Sequence, residues 1–247
     1  MTLVEFTDPR LVAVYDAVNP YRPDTQPRFY RDLASELDAT TIVDLGCGTG
    51  QITCELARLG HRMIGVDPAP AMLEVGRRRP GGEQVCWIDG DAASIGRPGA
   101  DLAIMTGHVA QFFLTDESWR VALSALHDAL RPRGRLAFES RNPTARAWEQ
   151  WTRAHGWSAD DSTVGRVDVW CAPLDVHEGI VTYEIHYRFA STGEEIVAPS
   201  ALRFRTEAEL DRSLTDAGFT VERCYGDWDR RPVDATSPEL VVVAVAA

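Results

Sequence analysis

The chain has 247 residues, 45% of them hydrophobic, with 37 acids against 25 bases and a formal charge of −12, a composition that suits one globular core with elaborations. The excess of negative charge repels a polyanion, so nucleic acid is not the expected partner. No stretch approaches the ~20 apolar residues of a membrane-spanning helix, and every basic residue is arginine, which rules out a phosphate-loop lysine and a Schiff-base lysine.

Taken in chain order, the acids and proline of residues 1–10 leave no apolar core for a signal peptide. Asp8-Pro9 then opens a helix with Leu11, Val14, Tyr15 and Val18 on one face. Asn19-Pro20 ends it, and a second helix from about Pro27 carries Phe29, Tyr30, Leu33 and Leu37. Together they form an N-terminal cap over residues 1–39. From 40 to 141, short apolar runs at 41–45, 62–66, 84–88, 101–105 and 135–139 alternate with helix-period segments near 51–59, 69–78 and 116–130. That alternation predicts β-α-β units and a doubly wound, mostly parallel sheet. Residues 142–205 change period. Val181, Tyr183, Ile185, Tyr187 and Phe189 alternate with polar residues, which predicts an antiparallel strand turned at Ser191-Thr192-Gly193 into a partner over 194–204. Residues 206–247 return to the core, with a capping box at Thr206 and Glu209, a helix stopped by Gly218, and two last strands that complete seven.

The densest local signal is Asp44-Leu45-Gly46-Cys47-Gly48-Thr49-Gly50, at the end of the first core strand. Glycines here permit a tight turn and a close backbone approach to a ligand, and the following helix offers free amides. The dinucleotide fingerprint is G-x-G-x-x-G, whereas this loop reads G-x-G-x-G with Gln51 where the third glycine would fall. Asp67 ends the second strand, where a carboxylate can accept from two vicinal ribose hydroxyls, and Gly90-Asp91-Ala92 follows the third.

With Asp44-x-Gly46-x-Gly48-x-Gly50, Asp67 and Gly90-Asp91-Ala92 in place, the chain resembles the class I, Rossmann-like S-adenosylmethionine-dependent methyltransferases. The resemblance is strong over residues 40 to 140 and silent on the acceptor. It implies that Gly46, Cys47, Gly48 and Gly50 hold the methionyl end of S-adenosylmethionine, with Asp44 turned toward its amino group. Asp67 would take the ribose, Pro68 and Met72 would be cofactor-binding with the apolar residues here packed against the adenine or the sheet, and Asp91 and Ala92 would meet the adenine amine and a ring nitrogen. Thr106 and His108, after the fourth strand, fall where the family sets residues between cofactor and acceptor. The strand end lacks the Asn/Asp-Pro-Pro-aromatic tetrapeptide of enzymes that methylate nucleic-acid amines.

The sulfonium of that cofactor already activates the methyl, so the protein has to align a nucleophile, exclude water and, for some acceptors, take a proton. His108 is the first candidate base, against a structural role at the strand end, and Glu139 the second. Tyr15 and Tyr21 either close over the methionyl carboxylate or the acceptor, or pack on their helix. Trp148, Trp151 and Trp157 either line an acceptor pocket or fill a core. Arg77, Arg78 and Arg79 are explained by dipole compensation at a helix end. Cys47, Cys54, Cys86, Cys171 and Cys224 show no C-x-x-C pair, so a reduced, cytoplasmic protein without a metal is expected. The expected function is methyl transfer to an oxygen or nitrogen of a small molecule. A non-catalytic S-adenosylmethionine-binding regulator and an NAD(P)-dependent oxidoreductase are the alternatives.

Overall fold

The computed structural model describes residues 3–247; Met1 and Thr2, the start of the expected cap, lie outside the described residues. Two helices, α1 (Pro9–Val18) and α2 (Gln26–Glu36), precede β1 (Thr41–Leu45), α3 (Gln51–Arg58), β2 (Arg62–Asp67), α4 (Pro70–Arg78), β3 (Cys86–Asp89), β4 (Ala100–Met105), α5 (Asp116–Ala129) and β5 (Leu130–Arg141). An antiparallel group follows: β6 (Trp157–Asp161), β7 (Gly165–His177), β8 (Ile180–Phe189) and β9 (Glu195–Arg203). The chain ends in α6 (Glu207–Asp216), β10 (Phe219–Tyr225) and β11 (Glu239–Ala246). Asp8 caps α1 by accepting from the Arg10 amide, and Thr206 and Glu209 exchange the reciprocal bonds of a capping box.

The seven core strands run in the order β10-β11-β5-β4-β1-β2-β3. All pairs are parallel except β11 with β5 and β10 with β11. Strand alternation divides the core into two layers. Val43, Leu45, Ala103 and Met105 face α5 and α6 through Trp119, Leu123, Leu126 and Leu214, whereas Ile42, Leu102 and Ile104 face α2 and α3 through Phe29, Tyr30 and Leu56. The chain reverses direction across the sheet between β1 and β4, so the crevice at their carboxyl ends is the natural ligand site.

The insertion is larger than its periodicity predicts: a four-stranded sheet, β6-β7-β8-β9, rather than a single hairpin. β7 escapes a sequence reading because Pro173 and Asp175 break its alternation and its register slips between them. The β7–β8 turn is a two-residue link with Glu178 and Gly179 both at positive φ (48° and 76°), the twist-matched hairpin turn without the usual Asn or Asp before its glycine. On β8, Val181, Tyr183, Ile185, Tyr187 and Phe189 are buried, and they pack with Leu11, Val14 and Val18 of α1. α1 also touches α4 through Val12, Ala69 and Met72. The first helix is therefore a shared wall between the core and the inserted sheet.

Candidate active site

The loop after β1 owes its three glycines to three different demands. Gly46, Gly48 and Gly50 all have positive φ, at 76°, 54° and 72°, where a β-carbon is strained. A β-carbon on Gly46 would come within 2.5 Å of Val109, and one on Gly50 within 2.5 Å of Trp87. Gly48 would meet only the Met72 terminal methyl, at 3.7 Å, so the side of the loop at Gly48 is the one open to a ligand. Asp67 holds this stretch in shape: its carboxylate accepts from the Gly48 amide at 2.8 Å and from the Ala69 amide at 2.9 Å. Burial raises the Asp67 carboxyl above its ordinary range, while those two amide bonds pull it back.

Asp44 is fully buried on β1. One carboxylate oxygen accepts from Thr53 at 2.6 Å, and the other, Oδ1, has no partner. Burial pushes its pKa up to about 7. Cys47 and Met72 are buried behind the loop, whereas Pro68 is exposed beyond β2. Asp91 is exposed past the end of β3, caps a short turn by accepting from the Ala93 amide at 3.0 Å, and is followed by buried Ala92. The three acids thus stand beyond or within three successive strands on one edge, and Thr106 and His108 continue that edge past β4.

The two candidate bases meet in one network. Glu139, fully buried on β5, accepts from Gln26, from the Tyr30 hydroxyl and from the His108 amide. His108 takes positive φ (63°), and its Nε2 lies 3.0 Å from both oxygens of Glu239. Burial drives the imidazole to its neutral form, with Arg141 nearby acting the same way, and burial also lifts Glu239. A neutral ring that gives its Nε2 hydrogen to Glu239 leaves the Nδ1 lone pair free to accept a proton. Glu139 has no such freedom, because donors already occupy both oxygens. Glu239 carries no motif, and its contact with His108 spans 131 positions of sequence.

A second cluster fastens the cap to the glycine loop. Asp16 of α1 accepts from Thr49 at 2.6 Å, from Gln51 at 2.8 Å and from Arg79. Gln51 also donates to the Asn19 carbonyl at 3.1 Å, and Arg79 to the Thr49 carbonyl at 3.0 Å. Arg77 and Arg78 pair with Glu74 on their own helix, but Arg79 does more than compensate a dipole. The residue before Asp16, Tyr15, packs edge-on against Phe6 at 6.1 Å and lies close enough to Asp67 to feel its charge. The Tyr21 hydroxyl is buried with no partner.

In the insertion, Trp148 packs on Phe204 and Trp151 on Tyr183, each with centroids 4.7 Å apart. Trp157 stays exposed and donates to the Val18 carbonyl at 2.9 Å. Arg141, at the end of β5, lies over the Trp151 ring at 5.6 Å and bonds Gln111 at 3.0 Å. Among the described residues, no group of three or more His, Cys, Asp or Glu could hold a metal, and no helix is long and apolar enough to cross a membrane.

A family described as a methyltransferase domain matches residues 42–134, from β1 through the glycine loop into the start of β5. Residues 42–134 thus carry a methyltransferase domain, and over that span the resemblance to the class I S-adenosylmethionine-dependent methyltransferases is borne out. Among curated methyltransferases, it is 32% identical over 146 residues to the ubiquinone/menaquinone biosynthesis C-methyltransferase of Rubrivivax gelatinosus, covering 59% of this chain and 55% of that one. The chain spans about half the length of the first curated relatives it matches, 45% and 55%. Methyltransferases of known structure match end to end. CcbJ from Streptomyces caelestis superposes with a TM-score of 0.77 at 21% identity, over 98% of this chain and 99% of that one. The S-adenosylmethionine-bound amino pentose methyltransferase CalS10 of Micromonospora echinaspora gives 0.72 at 22%, over 95% and 97%. At these identities the likeness is one of fold, and it takes in the inserted sheet as well as the core.

Proposed function

We propose that the chain transfers the methyl group of S-adenosylmethionine to an oxygen or nitrogen of a small molecule by in-line displacement. The observation that carries this reading is the cradle itself: a loop open at Gly48, held by Asp67, beside a buried Asp44 whose Oδ1 has no partner. An unpaired buried acceptor is costly, and an amino group on a bound ligand would satisfy it. In this reading Asp44 takes the cofactor's amino group, and the amides of Gly46, Cys47, Gly48 and Gly50 approach its methionyl part. Asp67 keeps lone pairs for the ribose hydroxyls. Pro68 and Met72 flank the adenine, Asp91 accepts from its amine, and the Ala92 amide meets a ring nitrogen. When bound, the cofactor supplies a methyl group already activated by its sulfonium.

Thr106 and His108 would then border the acceptor, and Tyr15 and Tyr21 would close the site from the cap. His108, its ring oriented by Glu239, is the proposed base at Nδ1 for an acceptor that must lose a proton. Glu139 would act through His108, by fixing the backbone that carries it. The sheet over 142–205 is the proposed acceptor-binding region, since it faces the site across α1. The amino pentose acceptor named for CalS10 supports a small polar molecule. A charge of −12 argues against nucleic acid, and a cytoplasmic location remains part of the proposal.

Thermal unfolding with S-adenosylhomocysteine tests the reading, with NAD and NADP in parallel. A ligand at about 100 times its dissociation constant adds roughly 2.7 kcal/mol, a rise of several degrees for a chain of this size. A shift with a nicotinamide cofactor alone would replace methyl transfer with an oxidoreductase.

A further inference from the structure

The acceptor's chemistry can be taken one step further, on the footing of the methyl-transfer reading above. Glu5 lies in the single 3-10 turn Val4–Phe6 ahead of α1 and is 7% exposed. It makes no hydrogen bond among the described residues, and its Oε1 is buried without a partner. Phe6, next in sequence, packs edge-on against Tyr15 at 6.1 Å and Phe112 at 5.9 Å. That packing pins the turn over the segment that follows β4, and the turn's other side rests on β9. Glu5 therefore sits between the carboxyl edge of the core sheet and the inserted sheet.

The titratable groups that feel its charge are Tyr15 of α1, Cys171 of β7, and Tyr183 and Tyr187 of β8. None is cationic. Arg141, whose charge also reaches Cys171 and Tyr183, is committed to Gln111 and Trp151. Tyr15, Cys171, Tyr183 and Tyr187 lie on α1 and the inserted sheet, which places Glu5 on the insertion side of α1. Burial alone, with no compensating partner, lifts its pKa to about 7. A lone buried carboxylate returns nothing to the fold, because ionisation without a partner is strongly unfavourable.

We propose that Glu5 is the recognition group for a cationic amine on the acceptor, which enters between the segment after β4 and the inserted sheet, near Tyr15, Tyr183 and Tyr187. The ammonium supplies the missing counter-charge. An alcohol of the same shape would leave the carboxylate unpaired, which is the kind of mismatch a buried polar site rejects most strongly.

The test titrates the whole chain with benzylamine and with benzyl alcohol at neutral pH, with and without saturating S-adenosylhomocysteine, following chemical shifts of a 13C-labelled glutamate carboxyl assigned to Glu5. Benzylamine should bind at least tenfold tighter than the alcohol and move the Glu5 titration to lower pH. In Glu5→Gln that preference should vanish. Equal affinity for the two probes in the unsubstituted chain overturns the proposal, as does a preference that survives in Glu5→Gln. The first comparison needs no variant, so a folding defect cannot mask the answer. Failure to bind S-adenosylhomocysteine would instead refute the methyl-transfer reading, and the amine titration without it still reports on Glu5.

Discussion

Replacing Asp67 with asparagine removes one carboxylate oxygen while leaving the shape of the side chain. In the native loop both oxygens are used, one by the Gly48 amide at 2.8 Å and one by the Ala69 amide at 2.9 Å. The asparagine oxygen can keep one of these bonds. Its amide nitrogen then faces the other backbone donor, and a partly buried N–H without an acceptor costs about 1–3 kcal/mol. Asp67→Asn should accordingly lower the unfolding midpoint in the absence of any ligand. The same change removes the negative charge proposed to accept from the ribose, and hydrogen bonds to a charged group contribute about 1.5–3 kcal/mol each. Losing about 3 kcal/mol of binding corresponds to a loss in affinity on the order of 100-fold. Calorimetric titration with S-adenosylhomocysteine, at a temperature where the variant is folded, reads this directly. An affinity within a factor of two of the unsubstituted chain would refute the ribose placement, whatever happens to stability.

Asp16→Ala removes the acceptor shared by Thr49, Gln51 and Arg79; it should expose the cap to limited proteolysis and weaken S-adenosylhomocysteine about tenfold, by roughly 1–2 kcal/mol for a half-exposed charged cluster. Glu5, Asp44 and Glu239 are each raised to about 7 by burial, above their unfolded values, so the native state binds protons that the unfolded chain has released. Stability of the ligand-free protein should therefore fall as pH climbs from about 4.5 through 7. Glu5→Gln should flatten that decline by at most about 3 kcal/mol, from a rise of 4.5 to about 7, and a pH profile identical to that of the unsubstituted chain would contradict this. His108→Ala should lower turnover about 100-fold or more once an acceptor is in hand, with loss of an acidic limb that burial of the imidazole sets near pH 3; undiminished turnover removes the base. Glu239→Gln should move the same limb without abolishing turnover, since it acts on the orientation of the ring.

The core was legible because its signals are local. Asp44 to Gly50 announce a strand, a turn and a helix within a few positions, and alternating buried runs from 41 to 139 announce a parallel sheet. The inserted sheet was half legible: β8 alternates cleanly, whereas β7 carries acids and a proline and bends at a register slip. The glycine spacing points to backbone freedom toward a ligand, yet Gly46 and Gly50 are required as much by Val109 and Trp87 on the protein side, which no spacing reveals. The contacts that assemble the site were the least legible. Asp16 meets Arg79 across 63 positions and His108 meets Glu239 across 131. Glu5 stands ahead of the first helix in no pattern at all, and its burial is a property of the folded cleft.

α1 presents consecutive residues to two different compartments. Asp16 grips the glycine loop, and Tyr15 packs against Phe6 and feels the charge of Glu5 on the insertion side. A rod held at both faces can transmit order from one to the other, so a cofactor that stiffened the loop would also order the proposed acceptor region. Such a coupling is reciprocal: whatever factor the cofactor contributes to acceptor affinity, the acceptor returns to the cofactor. If the acceptor region is ordered only once the loop is filled, steady-state kinetics would show a compulsory sequence, with the adenosine-bearing donor on first and its spent form off last. Product inhibition by that spent form would then be competitive against the donor and noncompetitive against the acceptor.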